Sequence, residues 1–277
     1  MLLNCRGRLL DLSRPVVMGI LNMTPDSFYD GGRLDSTVAV LHQAEKMLSE
    51  GAAILDIGGA STRPGAKEVP EEEELKRVLP AIAAIRGRFP EAMLSVDTWR
   101  ARVAREAIAA GASIINDISA GKFDADMYPL AGVLPGTPYI LMHIQGTPRT
   151  MQQNPVYDDV VQEVLDFFIR EVGQLRALGV SDIILDPGFG FGKTVAHNFQ
   201  LLRHLHVFGQ VLGLPVLAGI SRKSMICKVL QIKPENALNG TTALHIVALQ
   251  QGAGILRVHD VREAMEVIRL WETLQTV

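Results

Sequence analysis

Residues 36–59, STVAVLHQAEKMLSEGAAILDIGG, contain a helix signal followed directly by a strand signal. Apolar residues in the first part recur at the spacing of one helix face: Val40, Ala44, Met47 and Leu48. Gly51 follows at the position where many helices end. The apolar run 52–59 is typical of a strand buried on both faces, as in a parallel sheet. The stretch therefore predicts a helix over 36–50 and a parallel strand over 52–59.

Seven other apolar runs repeat this strand signal. They are VVMGILNM (16–23), MLSVDT (93–98), SIINDIS (113–119), YILMHI (139–144), DIILDPG (182–188), PVLAGIS (215–221) and ILRVHD (255–260). The eight runs recur about every 34 residues, close to the size of one strand–helix repeat. Further helical patterns cover 71–85, 156–179, 235–252 and 261–274. Eight such repeats predict an α/β fold, a closed (β/α)8 TIM barrel.

A doubly wound open sheet is the alternative architecture. Its usual mark is GxGxxG after the first strand, whereas here NMTPDSFYDGG (22–32) follows. No linker, charge block or low-complexity tract divides the chain, so we expect a single domain over 1–277. The stretch 119–139, rich in glycine and proline, is expected to hold only a short helix.

Composition excludes several classes of protein. The 277 residues are 48% hydrophobic, and 27 basic against 30 acidic side chains give a net charge of −3, without the basic surface of a nucleic-acid-binding protein. No apolar run is long enough for a membrane span, and the N-terminus lacks the apolar core of a signal peptide. Cys5 and Cys227 form no CxxC pair, which is typical of the reducing cytosol. We expect a soluble cytoplasmic protein.

Functional side chains lie at the ends of most predicted strands. In a (β/α)8 barrel these ends meet on one face, where active sites form. Buried carboxylates are costly unless paired, so several of them together indicate a site. The residues are Asn22, Asp56, Asp97, Asn116, Asp117, Met142, His143, Asp186, Ser221, Arg222, Lys223, Arg257 and His259.

These residues differ in how strongly they indicate function. Asp97 and Asp186 each end an apolar strand and are functional candidates, whereas Asp56 and Asp117 fit a structural role equally well. Arg257 and His259 are two residues apart on one strand, so both face the same way and suggest an anion site. The remaining histidines and the acidic run at 71–74 are expected on the surface: His42, His197, His204, His206, His245 and the sequence EEEE.

Several glycine-rich or basic loops follow these strands. In DPGFGFGKT (186–194), Pro187 stands where a nucleotide P-loop needs glycine, so the glycines are expected to let backbone approach a ligand closely. SRKS (221–224) opens a helix and offers basic groups to an anion. GGASTRPGA (58–66) and 22–32 suit mobile loops that close over a substrate. Together they predict an enzyme with a phosphorylated substrate.

The order and strand positions of eight motifs resemble those of the bacterial dihydropteroate synthases, pterin-binding TIM barrels, over about residues 15–262. The motifs are MGILNMTPDSFYDGG, DIGGASTRPGA, SVDT, IINDIS, MHIQGTP, DPGFGFGKT, GISRKSM and RVHDV. The resemblance implies condensation of 6-hydroxymethyl-7,8-dihydropterin diphosphate with 4-aminobenzoate, giving 7,8-dihydropteroate and pyrophosphate. It also implies Mg²⁺ as cofactor and a homodimer.

The same resemblance implies residue roles. Asn22 is the expected metal ligand. The pterin pocket is expected to comprise Asp97, Asn116, Asp186 and Lys223, with Met142 as an apolar wall. Arg257 and His259 are expected to bind the diphosphate. Thr62, Arg63 and Ser221 are expected to contribute to the diphosphate and aminobenzoate sides, and Phe191 and Pro64 are expected to line the aminobenzoate side. Asp30 and Arg63, on the two loops, are candidates for ordering the closed state. The expected catalytic set is thus Asn22, Asp30, Arg63, Lys223, Arg257 and His259.

Three positions depart from the family pattern. Ala60 stands where many members carry glutamate in GGESTRPG, Trp99 follows SVDT where small polar residues are usual, and Met23 replaces a common valine. A silent pterin-binding paralogue, with Ala60 as its mark, is therefore one alternative. A methyltetrahydrofolate-dependent corrinoid methyltransferase-type barrel is another, and a Schiff-base aldolase using Lys193 or Lys223 is a third. The retained Asn22 and the STRPG, FGFGK and SRKS sequences favour the synthase.

Overall fold

Eight parallel strands close into a barrel in the computed structural model, which describes residues 1–23, 33–60 and 68–276. An antiparallel hairpin precedes them, formed by β1 (Leu2–Cys5) and β2 (Arg8–Asp11). The barrel strands are β3 (Val16–Asn22), β4 (Ala52–Gly58), β5 (Met93–Asp97), β6 (Ile114–Asp117), β7 (Tyr139–Met142), β8 (Ile183–Asp186), β9 (Val216–Ala218) and β10 (Ala253–Val258). Strand β10 pairs with both β9 and β3, which closes the ring. The predicted (β/α)8 barrel is confirmed.

Helices lie in the connections between the barrel strands, and one more follows the last strand. They are α1 (Arg33–Ser49), α2 (Glu71–Arg88), α3 (Ala101–Ala110), α4 (Met127–Gly132), α5 (Val160–Ala177), α6 (Val195–Arg203), α7 (His206–Leu212), α8 (Ser224–Leu230), α9 (Leu238–Gln250) and α10 (Val261–Thr276). Asp159 caps α5 by accepting hydrogen bonds from two backbone N–H groups, so this helix begins later than predicted. Within the described ranges, no helix is long and apolar enough to cross a membrane.

Strand register determines which residues face the barrel interior. An aliphatic layer fills its amino-terminal half, formed by Met18, Ile54, Ile114, Ile140, Ile184, Leu217 and Ile255. Because side chains alternate between the two faces of a strand, residues two and four positions further along also face inward. The polar residues at those positions therefore point into the carboxyl-terminal mouth of the barrel.

The hairpin closes the opposite end of the barrel. Leu3, Cys5 and Leu10 are buried against the aliphatic layer. Arg6 and Gly7 form its turn with positive φ angles of 56° and 89°, as in the two-residue turns that match strand twist. The hairpin strands alternate buried and exposed residues over four positions each and lack the continuous apolar run that marks the barrel strands, so the hairpin is not among the predicted elements.

Candidate active site

A row of four inward-facing residues crosses strands β3 to β6 at the mouth of the barrel. The register pairs Asn22 with Gly58, Gly58 with Asp97, and Asp97 with Asn116. Gly58 leaves a gap between its two polar neighbours. A Cβ atom there would lie 3.6 Å from both Asn22 Oδ1 and Asp97 Oδ2. The row therefore directs an amide oxygen and a carboxylate toward one small space.

Arg257 connects this row to the strand that closes the barrel. Its Nε donates to Asp56 Oδ2 at 2.7 Å, and its Nη2 donates to Asp97 Oδ2 at 2.6 Å. Asp56 Oδ2 also accepts from Asn116 Nδ2 at 2.9 Å. Asp56 is fully buried, so this carboxylate orients both the guanidinium and the amide from beneath the mouth. Asp56 thus acts through other site residues. The sequence alone does not decide between a structural and a functional role for it.

Burial shifts the proton affinity of Asp97 strongly. Loss of hydration raises its pKa to about 7, because the charged carboxylate is disfavoured away from water. Arg257 opposes this shift, whereas the negative charge of Asp56 adds to it. A carboxyl group with a pKa near neutrality at a barrel mouth is characteristic of functional sites.

Asp186 and Lys223 form the opposite side of the mouth. Asp186 Oδ1 accepts from Gly188 N at 2.8 Å, and burial raises the pKa of the carboxyl group. Lys223 Nζ donates to Phe189 O and lies 4.6 Å from the centre of the Phe191 ring. Burial lowers the pKa of Lys223 to about 8, although Asp186 opposes the shift. This side thus offers an acceptor and a donor beside an aromatic face.

Ser221 and His259 lie together where β9 and β10 end. Ser221 Oγ is 3.1 Å from His259 Nδ1, and the backbone N–H of His259 donates to Ser221 Oγ at 3.3 Å. Arg222, by contrast, is bound to Asp260 at 2.7 and 2.8 Å and to the carbonyl oxygens of Pro234 and Glu235. Within SRKS, Lys223 and Ser221 therefore belong to the mouth, whereas Arg222 holds the adjoining loops.

An apolar cluster borders the mouth beside the β8–α6 loop. Met142 and Phe191 belong to it, together with Ile118, Ile144, Met151, Trp99 and Phe123. Trp99 packs edge-on against Phe123, and the Arg100 guanidinium lies over the Trp99 ring. Trp99, which departs from the family pattern, thus contributes to this apolar cluster.

The structure brings together nine of the predicted site residues around the mouth: Asn22, Asp97, Asn116, Met142, Asp186, Phe191, Ser221, Lys223 and Arg257, with His259 beside Ser221. Asp117 and His143 face the helices instead. Asp117 accepts from Ser119, Gly121 and the Tyr139 hydroxyl, and His143 packs edge-on against Phe167 of α5. The predictions for Asp30, Thr62, Arg63 and Pro64 lie outside the described residues.

Two expectations about exposure are wrong. Glu74 ends the acidic run, yet it is fully buried and paired with Arg100, because helix α2 packs this position against Gly59. His245 is also buried, because α9 packs on both α10 and β10. Burial lowers the pKa of His245 to about 4, so the ring is neutral at physiological pH. Helical periodicity places both residues on helices but does not reveal the partners that cover them.

Asp97 predicts a measurable dependence of stability on pH. Its pKa is raised by folding from an ordinary carboxyl value to about 7, so the folded state binds the proton more tightly. The stabilisation that the bound proton gives to the folded state is complete at low pH. It is lost as the pH rises from about 4 to 7, by at most about 1.4 kcal/mol per pH unit for one proton. Urea unfolding of wild type and Asp97→Asn across this range measures it. Equal slopes for the two proteins would contradict the prediction.

Gly188 predicts a large loss of stability on substitution. It has φ +68°, and a Cβ atom there would lie 2.0 Å from the backbone oxygen of His143. Gly188→Ala is expected to cost about 3 kcal/mol or more, since backbone must move. Gly179→Ala is the matched control, because its φ is also positive at +91° but nothing lies within 4 Å. Chemical denaturation should separate the two variants, and equal losses would exclude the steric explanation.

The closed barrel and its mouth of acceptors, donors and one apolar wall define an enzyme that binds a small polar ring beside an anion. The family model described as pterin binding enzyme matches residues 18–259. Dihydropteroate synthase of Escherichia coli K12 is 48% identical over 274 residues, which are 98% of this chain and 96% of that protein. The Haemophilus influenzae enzyme is also 48% identical, over 98% of both chains.

Solved structures agree with these relatives. The Yersinia pestis dihydropteroate synthase in a sulfonamide drug complex has a TM-score of 0.93 and 46% identity, with full coverage of both chains. The Xanthomonas albilineans enzyme with 4-aminobenzoic acid has a TM-score of 0.92 and 44% identity, covering 100% of this chain and 98% of the other. The chain belongs to the pterin-binding enzyme family and, within it, to the dihydropteroate synthases.

Proposed function

We propose that this enzyme joins 6-hydroxymethyl-7,8-dihydropterin diphosphate to 4-aminobenzoate, forming 7,8-dihydropteroate and releasing pyrophosphate. The observation that carries the proposal is the mouth itself, where Asp97, Asn116, Asp186 and Lys223 converge on one space beside Arg257. Similar barrels from Xanthomonas albilineans hold 4-aminobenzoic acid and 7,8-dihydropteroate.

The buried polar groups match the edges of a pterin ring. The 2-amino-pyrimidinone edge offers several N–H donors, and Asp186 Oδ2 is available because Oδ1 takes the bond from Gly188. Asn116 uses Nδ2 on Asp56, which leaves its carbonyl oxygen to accept from the ring. Lys223, on the same side of the mouth as Asp186, would donate to the O4/N5 side of the ring. A ring lacking these groups would leave buried polar atoms unpaired, so the site discriminates strongly against it.

The bond changes follow from the substrate. The bond between the exocyclic CH₂ carbon and the diphosphate oxygen breaks, and its electron pair leaves with diphosphate. The electron-rich ring stabilises the resulting cation, the aniline nitrogen supplies the pair for the new C–N bond, and that nitrogen then loses a proton to water or to the released diphosphate. This dissociative path needs no nucleophilic side chain. Arg257, with His259 and Ser221, would meet the negative charge that develops on the leaving group.

The residues present fit a Mg²⁺ ion bound together with diphosphate. Asn22 Oδ1 borders the gap above Gly58, and amide oxygens are ligands that Mg²⁺ accepts. Within the described part of the chain, no group of three or more His, Cys, Asp and Glu side chains is placed to hold a metal alone. Mg²⁺ keeps several waters and takes phosphate oxygens as ligands, so one amide oxygen from the protein fits such a site. When bound, it would neutralise charge on the diphosphate.

The two loops outside the described residues complete the proposal. Asp30 and Arg63 would order the closed state, Thr62 would contact the substrates, and Pro64 would line the aminobenzoate side. If Arg63→Ala left both kcat and the aminobenzoate KM unchanged, the loop role would be wrong.

Pyrophosphate release is the direct test of the proposed function. The assay combines dihydropterin diphosphate, 4-aminobenzoate and Mg²⁺, and omits each in turn. Release that requires all three supports the proposal, whereas no turnover in the complete mixture contradicts it.

Asn22→Ala should raise the Mg²⁺ concentration for half-maximal rate at least tenfold. Its affinity for 6-hydroxymethyl-7,8-dihydropterin, which lacks the diphosphate, should stay unchanged.

Dimerisation and location complete the proposal. Leu270 and Leu274 are about two-thirds exposed on α10, which supports a homodimer through the late helices. Sedimentation of wild type and of Leu270→Glu tests this assembly, and a monomeric wild type would exclude it. Both cysteines are free thiols, which supports work in a reducing cytoplasm.

A further inference from the structure

The loop between β8 and α6 is fixed by side chains that bind its backbone. Five successive carbonyl oxygens, from Gly188 to Gly192, each accept a side-chain hydrogen bond. The donors in order are Lys193, Lys223, Gln152, Lys193 and Tyr157. Loop carbonyls usually face water, so this arrangement holds the loop in one conformation.

Lys193 makes two of these bonds from the inside of the loop. Its Nζ lies 3.0 Å from the carbonyl oxygens of Gly188 and Phe191, and 2.9 Å from His143 Nδ1. Lys193 is only 3% exposed. Its amine is thus enclosed by acceptors, which does not suit a Schiff-base nucleophile.

Lys193 and His143 keep their hydrogen bonds whether the lysine amine is neutral or charged. Burial lowers the pKa of both Lys193 and His143. A neutral amine would donate to the two carbonyls and accept from His143 Nδ1–H, whereas an ammonium would donate to all three atoms. The geometry therefore ties the loop to the end of β7 whichever form is present.

The tied segment carries one side chain into the apolar cluster at the mouth. Phe191 N donates to Gly188 O at 3.0 Å, so Lys193 binds both ends of the turn that presents the Phe191 ring. Asp186 is placed differently, because sheet pairing with Met142 fixes it as the last residue of β8. Loss of the Lys193 contacts would therefore displace the aromatic side more than the carboxylate.

We propose that Lys193 is a positioning residue that fixes the Gly188–Gly192 turn and thereby places the Phe191 ring against 4-aminobenzoate. The inference rests on the proposed function, in which Phe191 lines the aminobenzoate side. Lys193 does not touch the reacting atoms and acts through the backbone that it binds.

Lys193→Met tests this role, because methionine keeps most of the side-chain length and removes the hydrogen bonds. The KM for 4-aminobenzoate should rise at least tenfold, while the Kd of 6-hydroxymethyl-7,8-dihydropterin stays within about twofold of wild type. Lys193→Gln, which retains donors on a shorter chain, should recover part of the KM. Lys228→Met, at an exposed position on α8, is the matched control and should change neither value.

The outcomes separate positioning from mere structural support. An unchanged KM with a lower folded fraction would overturn the proposal, as would equal increases in KM and pterin Kd. Failure of both variants to fold would assign Lys193 to stability alone and overturn it too. If wild type releases no pyrophosphate, the proposed function fails, and hydrogen exchange then tests whether Lys193 fixes the turn. The Phe191 amide should exchange at least tenfold faster in Lys193→Met than in wild type. Equal rates would overturn the positioning role.

Discussion

Arg257→Met is expected to lower kcat/KM for pyrophosphate release by about 10³-fold, one of the two largest catalytic effects that we expect. The guanidinium is the cation held at the barrel mouth by two carboxylates, Asp56 and Asp97. Its removal takes away positive charge where diphosphate is proposed to leave. Steady-state kinetics with both substrates saturating in turn would measure the loss.

The same substitution should also destabilise the fold. Breaking a buried ion pair from one side costs about 3 kcal/mol or more, because the remaining charges lose their partner. Protonation of Asp97 relieves part of this cost, so the loss should be larger at pH 8 than at pH 5.5. Arg262→Met removes an exposed arginine paired with Glu50 and serves as the control, with a loss below about 1 kcal/mol. Equal losses for the two variants would contradict the ion-pair network.

Asp186→Asn is expected to reduce kcat/KM by about 10³-fold without destabilising the protein. Asn Oδ1 can keep the bond from Gly188 N, which places the amide nitrogen where Asp186 Oδ2 stands. A donor then meets the N–H groups of the pterin, and a buried donor facing a donor is strongly unfavourable.

Stability should change in the opposite direction from activity. Burial raises the pKa of Asp186, so its ionised form opposes folding at pH 8 and a neutral isostere does not. The Tm of Asp186→Asn should equal or exceed that of wild type. Asp126→Asn, at an exposed position whose carboxylate makes no capping bond, is the control for both measurements. Retained activity, or a Tm loss like that of Arg257→Met, would contradict the prediction.

Local sequence patterns predicted the barrel and most of its mouth. The apolar runs alone located all eight barrel strands, and their ends placed Asp97 and Asp186 at one face. These features are local, because burial on both faces and alternation of side chains depend on neighbouring residues only. The order of motifs then indicated the family, which the relatives confirm.

Features that join distant residues could not be predicted in this way. The sequence around Glu74 predicts a solvated charge, whereas in the structure Arg100 of the next strand–helix unit covers it. In the sequence, Lys193 ends a stretch that resembles a phosphate loop, and only the structure shows its contact with His143. In each case the missing information is a partner that the strand order supplies.

Sequence by itself determined the repeat, the polar strand ends and their inward direction, since these follow from chain sterics and hydrophobic periodicity. Only the tertiary structure decided how the buried charges are neutralised. Asp56 and Arg257 are 201 residues apart, and they meet because β10 closes the ring beside β3. A buried carboxylate needs a charged partner or several hydrogen bonds, and for Asp56 the closure of the barrel supplies the charged partner, so that separate strand ends become one site.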